Sequence, residues 1–184
     1  MELGKTLYLV ERSEWHAWLA KNHGKEKEIW LIYYRKSSGK PRIPYNDAVE
    51  EALCYGWIDS IIKGIDEEKF TQRFTPRKAG SRISEMNKER IRRLIEKGKM
   101  TPSGFAAIKH AFDINQKTAV APDILKALRQ DKDVWKNFQE FPESYRRIRV
   151  GWVEDSRTRP ELFSQRLKYF LKMTAKNKKY GMIR

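Results

Sequence analysis

The sequence predicts an α+β protein, with a small antiparallel sheet and packed helices in an N-terminal lobe and only helices in a C-terminal lobe. Two observations predict this class. Segments with the pattern of β-strands are found before residue 80, whereas from residue 84 onward strand patterns disappear and the apolar residues follow a helical period. The chain has 184 residues, 40% of them hydrophobic, so the lobes 1–80 and 81–184 are expected to share one core.

The N-terminal lobe is predicted to begin with a helix, a strand and a second helix. EWHAWLAKNHG forms the first helix, with Ser13 as its N-cap and Gly24 as its stop. EIWLIYYRK, residues 28–36, is aromatic and β-branched and is predicted to be a strand buried on much of both faces. Residues 44–56 open with a proline and close with a glycine, which favours a helix of about three turns.

A β-hairpin is predicted next. WIDSIIKGI and KFTQRFTPR, residues 57–65 and 69–77, have strand patterns and are joined by a tight turn at Asp66 and Glu67. Pro76 has no amide donor and is expected to end the pairing.

The C-terminal lobe is predicted to be a series of helices. The first starts at its N-cap, Ser84, and stops at Gly98. Further helices are expected within TPSGFAAIKHAF, PDILKALRQ, DKDVWKNFQEF, PESYRRIRVGWVEDS and RPELFSQRLKYFLKMTAKNKK. The tail KNKKYGMIR is expected to fray.

Composition excludes several classes of protein. A single cysteine, Cys54, permits no internal disulfide and is expected to be a small buried hydrophobe. The histidines His16, His23 and His110 are scattered and are expected to lie on helix surfaces, so no metal site is expected. No phosphate-binding glycine loop is present, so no cofactor is expected. No apolar run suits a signal peptide or a membrane helix, which predicts a cytoplasmic protein with no membrane insertion.

The net charge of +15 is concentrated in two segments. Residues 70–99 carry 10 Lys+Arg against 3 Asp+Glu, and residues 146–184 carry 12 against 3. Such blocks attract anions, which predicts an anionic small molecule or phosphate-containing ligand as the partner. Nucleic acid, bound along the basic helices 84–99 and 142–179, is the alternative partner.

An acid and several arginines are predicted to meet in the hairpin. Asp59 on one strand is expected to hold Arg73 or Arg77 on the other, which leaves guanidinium donors free for an oxyanion. The hydroxyls of Ser81 and Ser84 and the free amides of the helix start are expected to complete the site. The alternative is a plain cross-strand ion pair followed by an ordinary helix cap.

The same residues carry a resemblance to a known family. LIYYRKSSGKPRIPYNDAVEEALCYGWIDS, followed by QRFTPRKAGSRISEMNKERIRRLIEKGKMTPSG, resembles the YdeI/OmpD-associated family, also called bacteriocin-protection proteins. The resemblance covers most of the chain from about residue 12. It implies a site within residues 56–87, where Lys78 and Asn87 match the family pattern. Tyr55 and Trp57, which flank Gly56, are expected to form the aromatic wall of this site.

Two departures from the family pattern affect this expectation. Ile83 stands where the family usually has Trp, and Leu162 and Phe163 replace a Thr-Arg pair, although Arg166 occupies the later basic position. If the family's C-terminal arginine serves a ligand, this contact is expected to be weaker here.

The function expected from these features is a stress or bacteriocin-resistance protein that binds an anionic ligand or partner through its GWID and RFTPRK motifs, without catalysis. Nucleic-acid binding is the first alternative. The second is an enzyme acting on a phosphorylated small molecule, with Asp59 as acid or base; no other catalytic residue is predicted.

Overall fold

The computed structural model describes residues 3–113 and 119–181 of the chain. The fold class is confirmed, because a small four-stranded sheet with helices forms the N-terminal part and helices alone form the C-terminal part. The described residues form two compact units, 3–82 with 90–113 and 83–89 with 119–181.

The sheet belongs to the first unit and is mixed. Its strands are β1 (Thr6–Tyr8), β2 (Ile29–Tyr34), β3 (Trp57–Gly64) and β4 (Lys69–Pro76). The spatial order is β1-β2-β4-β3, with β1 parallel to β2 and both other pairings antiparallel. The short strand β1 is absent from the sequence prediction, and it adds the one parallel pairing among the described strands.

The predicted hairpin is confirmed as β3 and β4. Asp66 fixes its turn, because Asp66 Oδ1 accepts hydrogen bonds from the backbone amides of Glu68 and Lys69, both at 2.9 Å. The register shifts between Asp59 and Ile62, as in a β-bulge. β4 ends at Pro76, as predicted from its missing amide donor.

Four helices lie before residue 113. They are α1 (Arg12–Asn22), α2 (Tyr45–Cys54), α3 (Glu85–Glu96) and α4 (Pro102–Ile108). Ser13 lies inside α1, so its prediction as the N-cap is wrong. Glu11 is the N-cap, and the Glu14 carboxylate reaches back to the amides of Glu11 and Val10 at 2.9 and 3.0 Å. These charge-assisted bonds form a capping box, which favours the earlier start.

Large aromatic side chains fill the core of the first unit. Trp15, Trp30, Trp57 and Phe74 are all fully buried. Trp15 Nε1 donates a hydrogen bond to the carbonyl of Ala48 at 2.9 Å, which ties α1 to α2. The core therefore joins the sheet to these two helices.

Two glycines allow α4 to approach the end of α2. Gly56 has a φ of 75°, and a Cβ at this position would lie 2.7 Å from Ala107 Cβ and 2.9 Å from the Ser103 carbonyl oxygen. A Cβ at Gly104 would overlap the Cys54 carbonyl. Only glycine fits this contact at either position.

The second unit contains the four remaining helices of the described chain. They are α5 (Pro122–Arg129), α6 (Lys132–Glu140), α7 (Glu143–Glu154) and α8 (Pro160–Ala175). Their buried apolar faces form one core from Ile124, Leu128, Val134, Phe138, Val150, Val153 and Phe170. None of the helices in the described ranges is long and apolar enough to cross a bilayer.

Candidate functional site

Asp59 is held by two neutral donors of the first unit. Its Oδ2 accepts a hydrogen bond from Tyr45 Oη at 2.9 Å and another from Gln72 Nε2 at 2.7 Å. Asp59 lies opposite Phe74 in the ladder, so it shares a face with Gln72, two residues from Phe74. Burial, and next the charge of Asp59, raise the pKa of Tyr45 to about 12. The carboxylate is therefore ordered by a phenol and an amide.

Arg73 lies on the opposite face of the hairpin and pairs with a different acid. Arg73 Nε donates to Glu28 Oε2 at 2.8 Å, and Arg73 Nη2 donates to the same oxygen. These bonds hold the pKa of Glu28 below its usual value. The predicted pairing of Asp59 with Arg73 or Arg77 is therefore wrong, because successive side chains of β4 alternate between faces and the described contacts of Asp59 include no guanidinium.

The chain after β4, residues 77–82, is called the basic loop below. Arg77 Nη2 donates to the Arg82 carbonyl at 2.6 Å, but Arg77 Nε is buried and has no hydrogen-bond partner. Ser81 Oγ is likewise buried without a partner. Burial lowers the pKa of Arg77. Lys78 is exposed and forms no ion pair with any described residue. The basic loop thus holds two unsatisfied donors and one free cation.

The remaining predicted polar residues, Ser84 and Asn87, belong to the second unit. Ser84 Oγ accepts a hydrogen bond from the Asn87 backbone amide at 3.4 Å, just before α3. Ser84 is thus the cap of this helix, as predicted. Their assignment to an anion site stays a prediction.

The two predicted aromatic wall residues lie in the first unit. Trp57 is 1% exposed, and its Nε1 donates to the His23 carbonyl at 3.0 Å. Tyr55 is 8% exposed, and its ring lies against those of His16 and His23. Trp57 is therefore a core residue, and its role as the wall of a ligand site stays a prediction.

Comparison with known families divides the chain between residues 107 and 118, after α4 and not at the end of the sheet. Residues 7–107, more than half of the chain, match the family described as "Domain of unknown function (DUF8412)". The chain belongs to this family. Residues 118–177 match the family described as "Bacteriocin-protection, YdeI or OmpD-Associated", which confirms the resemblance for the C-terminal part. No curated protein matches the chain, and no solved structure does.

Within the part that matches the domain of unknown function, two buried groups beside Asp59 are missing from the sequence prediction. Arg90 is 6% exposed and donates to Asn46 Oδ1 at 2.7 Å. Tyr33 is 2% exposed, and its hydroxyl has no partner. Burial lowers the pKa of Arg90 and raises that of Tyr33. Arg90 precedes the buried Leu94 by one helical turn, and this spacing is the sequence signal that could have indicated its burial.

A second polar group joins α1 to α2. Glu51, 5% exposed, accepts from Arg12 Nε, and its Oε2 lies 3.0 Å from His16 Nδ1. His16 Nε2 lies 3.2 Å from Tyr55 Oη, which completes a chain of carboxylate, imidazole and hydroxyl. These are groups that acid–base catalysis uses.

A second histidine, His23 at the C-terminal end of α1, also contacts a hydroxyl. His23 Nε2 lies 3.0 Å from Ser103 Oγ, and His23 Nδ1 lies 2.9 Å from the Leu19 carbonyl. Since a carbonyl only accepts, Nδ1 carries the proton and a neutral His23 accepts from Ser103. The two partners are 80 positions apart, so no local pattern could have predicted this pair.

Proposed function

We propose that this chain acts in bacteriocin protection by binding a small oxyanion, a phosphate or carboxylate group, at the basic loop. The observation that carries the proposal is the pair of buried donors without partners, Arg77 Nε and Ser81 Oγ. The match of residues 118–177 to bacteriocin-protection proteins supports the biological setting.

Energetics favour an acceptor at these donors. A buried donor without a partner costs about 1–3 kcal/mol, and a hydrogen bond to a charged group contributes about 1.5–3 kcal/mol. An oxyanion that accepts from both Arg77 and Ser81 removes the cost and gains the bonds. Lys78, exposed on the same loop, adds a positive field that attracts such an ion.

The charge of Asp59 does not oppose this proposal. Its carboxylate accepts hydrogen bonds from Tyr45 and Gln72. Arg90 carries a compensating positive charge: burial lowers the pKa of Arg90, and the negative charge of Asp59 opposes this shift. We therefore assign Asp59 and Arg73 to the support of the hairpin and keep Arg77, Lys78 and Ser81 as the ligand residues of the proposal.

Titration with inorganic phosphate, followed by calorimetry, tests the proposal. Arg77→Lys and Ser81→Ala are expected to weaken binding about tenfold each, because each removes one charge-assisted bond. Arg73→Lys is the matched control, since Arg73 lies four residues away and donates to Glu28 instead. Binding that is equally weakened by Arg73→Lys, or no saturable binding at all, would contradict the proposal.

Nucleic-acid binding is the second candidate, favoured by one observation on α8. Tyr169 is 45% exposed, and it lies between Lys168 and Lys172. An exposed ring beside cations is a surface on which a base can stack. If this surface binds single-stranded DNA, affinity should fall steeply with salt and Tyr169→Ala should weaken it, whereas binding that is flat in salt would refute it.

A further inference from the structure

The second unit contains a buried guanidinium that no acid among the described residues compensates. Arg149 lies on α7 and is 5% exposed. Its Nε is buried and has no hydrogen-bond partner. No carboxylate of the described chain lies within ion-pair distance of it. A buried charge without a counter-ion is costly, so its presence calls for an explanation.

Aromatic rings surround this guanidinium instead. The Arg149 Cζ lies 4.6 Å from the ring centroid of Tyr180, 5.6 Å from that of Trp152 and 5.8 Å from that of Tyr145. Such rings attract a cation through their electron-rich faces, but they carry no net charge. They hold Arg149 in one place and leave its charge unneutralised.

A second guanidinium contacts the same indole. Arg166, on α8, lies 4.7 Å from the ring centroid of Trp152, and its Nη1 donates to the Trp152 carbonyl at 2.6 Å. Arg166 also has no ion pair among the described residues. Two positive charges thus share one aromatic ring, and no residue of the described chain places a negative charge beside them, which is unfavourable unless an anion joins them.

The chain after α8 lies close to the terminal nitrogens of Arg149. The Tyr180 amide donates to Tyr145 Oη at 3.2 Å, which brings this segment onto α7. At the exposed Gly181, whose φ is 86°, a Cβ would lie 3.1 Å from Arg149 Nη2 and 3.2 Å from Nη1. A side chain at position 181 would therefore crowd both terminal nitrogens of Arg149, and glycine leaves the space beside them free for the oxyanion onto which such a guanidinium forks.

We propose that Arg149 is the centre of an anion site in the second unit, which takes the carboxylate or phosphate group of a ligand whose flat body packs on Trp152. The anionic group of the ligand lies against the Nη atoms of Arg149, in the space that Gly181 leaves free, and Arg166 adds the second positive charge. The site is independent of the basic loop, because all of its residues belong to the second unit.

The wild-type chain provides a direct assay, because it has six tryptophans and therefore six indole N–H signals in a nitrogen-correlated NMR spectrum. The Trp152 signal is identified by its loss in Trp152→Phe. Phenyl phosphate and benzoate are titrated as probes, with inorganic phosphate and acetate as their counterparts without a ring. We expect the aryl probes to shift the Trp152 signal and to bind more tightly than the counterparts, and the tighter aryl probe identifies the anionic group.

Three variants separate a ligand site from a structural clamp. Arg149→Lys keeps the charge but loses the planar fork, so binding should weaken about tenfold or more. Gly181→Ala should weaken binding, because the added methyl group would lie 3.1 Å from Arg149 Nη2, in the space that the anionic group is proposed to take. Arg129→Lys is the matched control with unchanged binding, since Arg129 is exposed and stacks on Trp135 at 4.9 Å.

The proposal is overturned if no probe shifts the Trp152 signal, or if Arg129→Lys weakens binding as much as Arg149→Lys does. If Arg149→Lys does not fold, Gly181→Ala decides: weaker binding of the aryl probes supports the site, and unchanged or tighter binding refutes it. A clamp that only holds the end of the chain predicts lower stability in both variants and no binding of either aryl probe.

Discussion

Substitution of Gly104 by alanine should destabilise the protein, although helix propensity predicts the opposite. In an α-helix, alanine is more favourable than glycine by about 1 kcal/mol. Here the added Cβ would overlap the carbonyl group of Cys54 and would lie 3.0 Å from Met100 Cε. The Cys54 oxygen is a backbone atom that accepts from the amide and the hydroxyl of Thr101, at 3.1 and 2.6 Å. It cannot retreat without stretching those bonds.

The magnitude follows from these opposing effects. Overpacking of a tight contact costs about 1–3 kcal/mol, and each of the two weakened hydrogen bonds to Cys54 adds about 0.5–1 kcal/mol. After the propensity gain of about 1 kcal/mol is subtracted, we expect Gly104→Ala to lower the free energy of unfolding by about 1–4 kcal/mol.

Urea denaturation followed by circular dichroism measures this change, with Gly24→Ala as the control. A Cβ at Gly24 meets nothing within 4 Å and its φ is not in the left-handed region, so this variant should be neutral or stabilising by about 0.4–1 kcal/mol. If Gly104→Ala is as stable as Gly24→Ala, the close approach of α4 to the end of α2 is incorrect.

Three further predictions concern the hairpin and the helix that packs on it. Trp57→Ala removes a fully buried ring and its hydrogen bond, so the free energy of unfolding should fall by about 3–5 kcal/mol in urea melts; a loss below about 1 kcal/mol would place Trp57 on the surface. Asp59→Asn weakens two charge-assisted bonds and should cost about 1–2 kcal/mol while phosphate affinity stays unchanged; a loss of affinity would return Asp59 to the anion site. Finally, burial raises the pKa of Tyr45 to about 12 from about 10 in the unfolded chain, so the unfolded state loses this proton first as the pH rises. This contribution to stability is complete below pH of about 10 and is lost as the pH rises through the folded pKa, and Tyr45→Phe should reduce the alkaline loss in pH-dependent melts.

Most elements of the fold follow from local patterns in the sequence. The Asp66 turn and the Pro76 stop define the hairpin, because each acts through its own backbone and a near neighbour. The helices from Ser84 onward follow from caps and apolar periods for the same reason. Strand β1 has three residues and pairs in parallel with β2, so no turn or local alternation marks it.

The end of the chain shows where a local rule fails. Polar and basic residues around Tyr180 predict a frayed tail. The ring of Tyr180 nevertheless packs near the rings of Tyr145, Trp152 and Tyr169. The attraction that holds it comes from Arg149, 31 positions earlier, which the composition of the tail does not reveal. Residues 182–184 of the predicted tail lie outside the described residues.

The candidate site was predicted only in part because its contacts are long-range. The residues of the basic loop are neighbours in sequence, so their proximity could be expected. The pairing of Arg73 with Glu28 could not be expected from the sequence, because Glu28 is 45 positions away and becomes a neighbour only when β2 pairs with β4. Alternation along β4 does place Gln72 and Arg73 on opposite faces, but which of them faces Asp59 depends on a register that the bulge in β3 shifts.

Arginines that lack a neighbouring acid, and not the net charge of +15, are the reason to expect an anionic ligand. Several guanidiniums lie beside carboxylates, namely those of Arg12, Arg73, Arg147 and Arg157. Arg77 and Arg149 have no such neighbour in the described chain, and the Nε of each is buried without a partner. Water hydrates an exposed cation at little cost, whereas a buried one loses that hydration and must recover it from the protein or from a ligand. A bound oxyanion would supply both the missing charge and the missing acceptor, which is the physical reason for proposing anion binding at Arg77 and at Arg149.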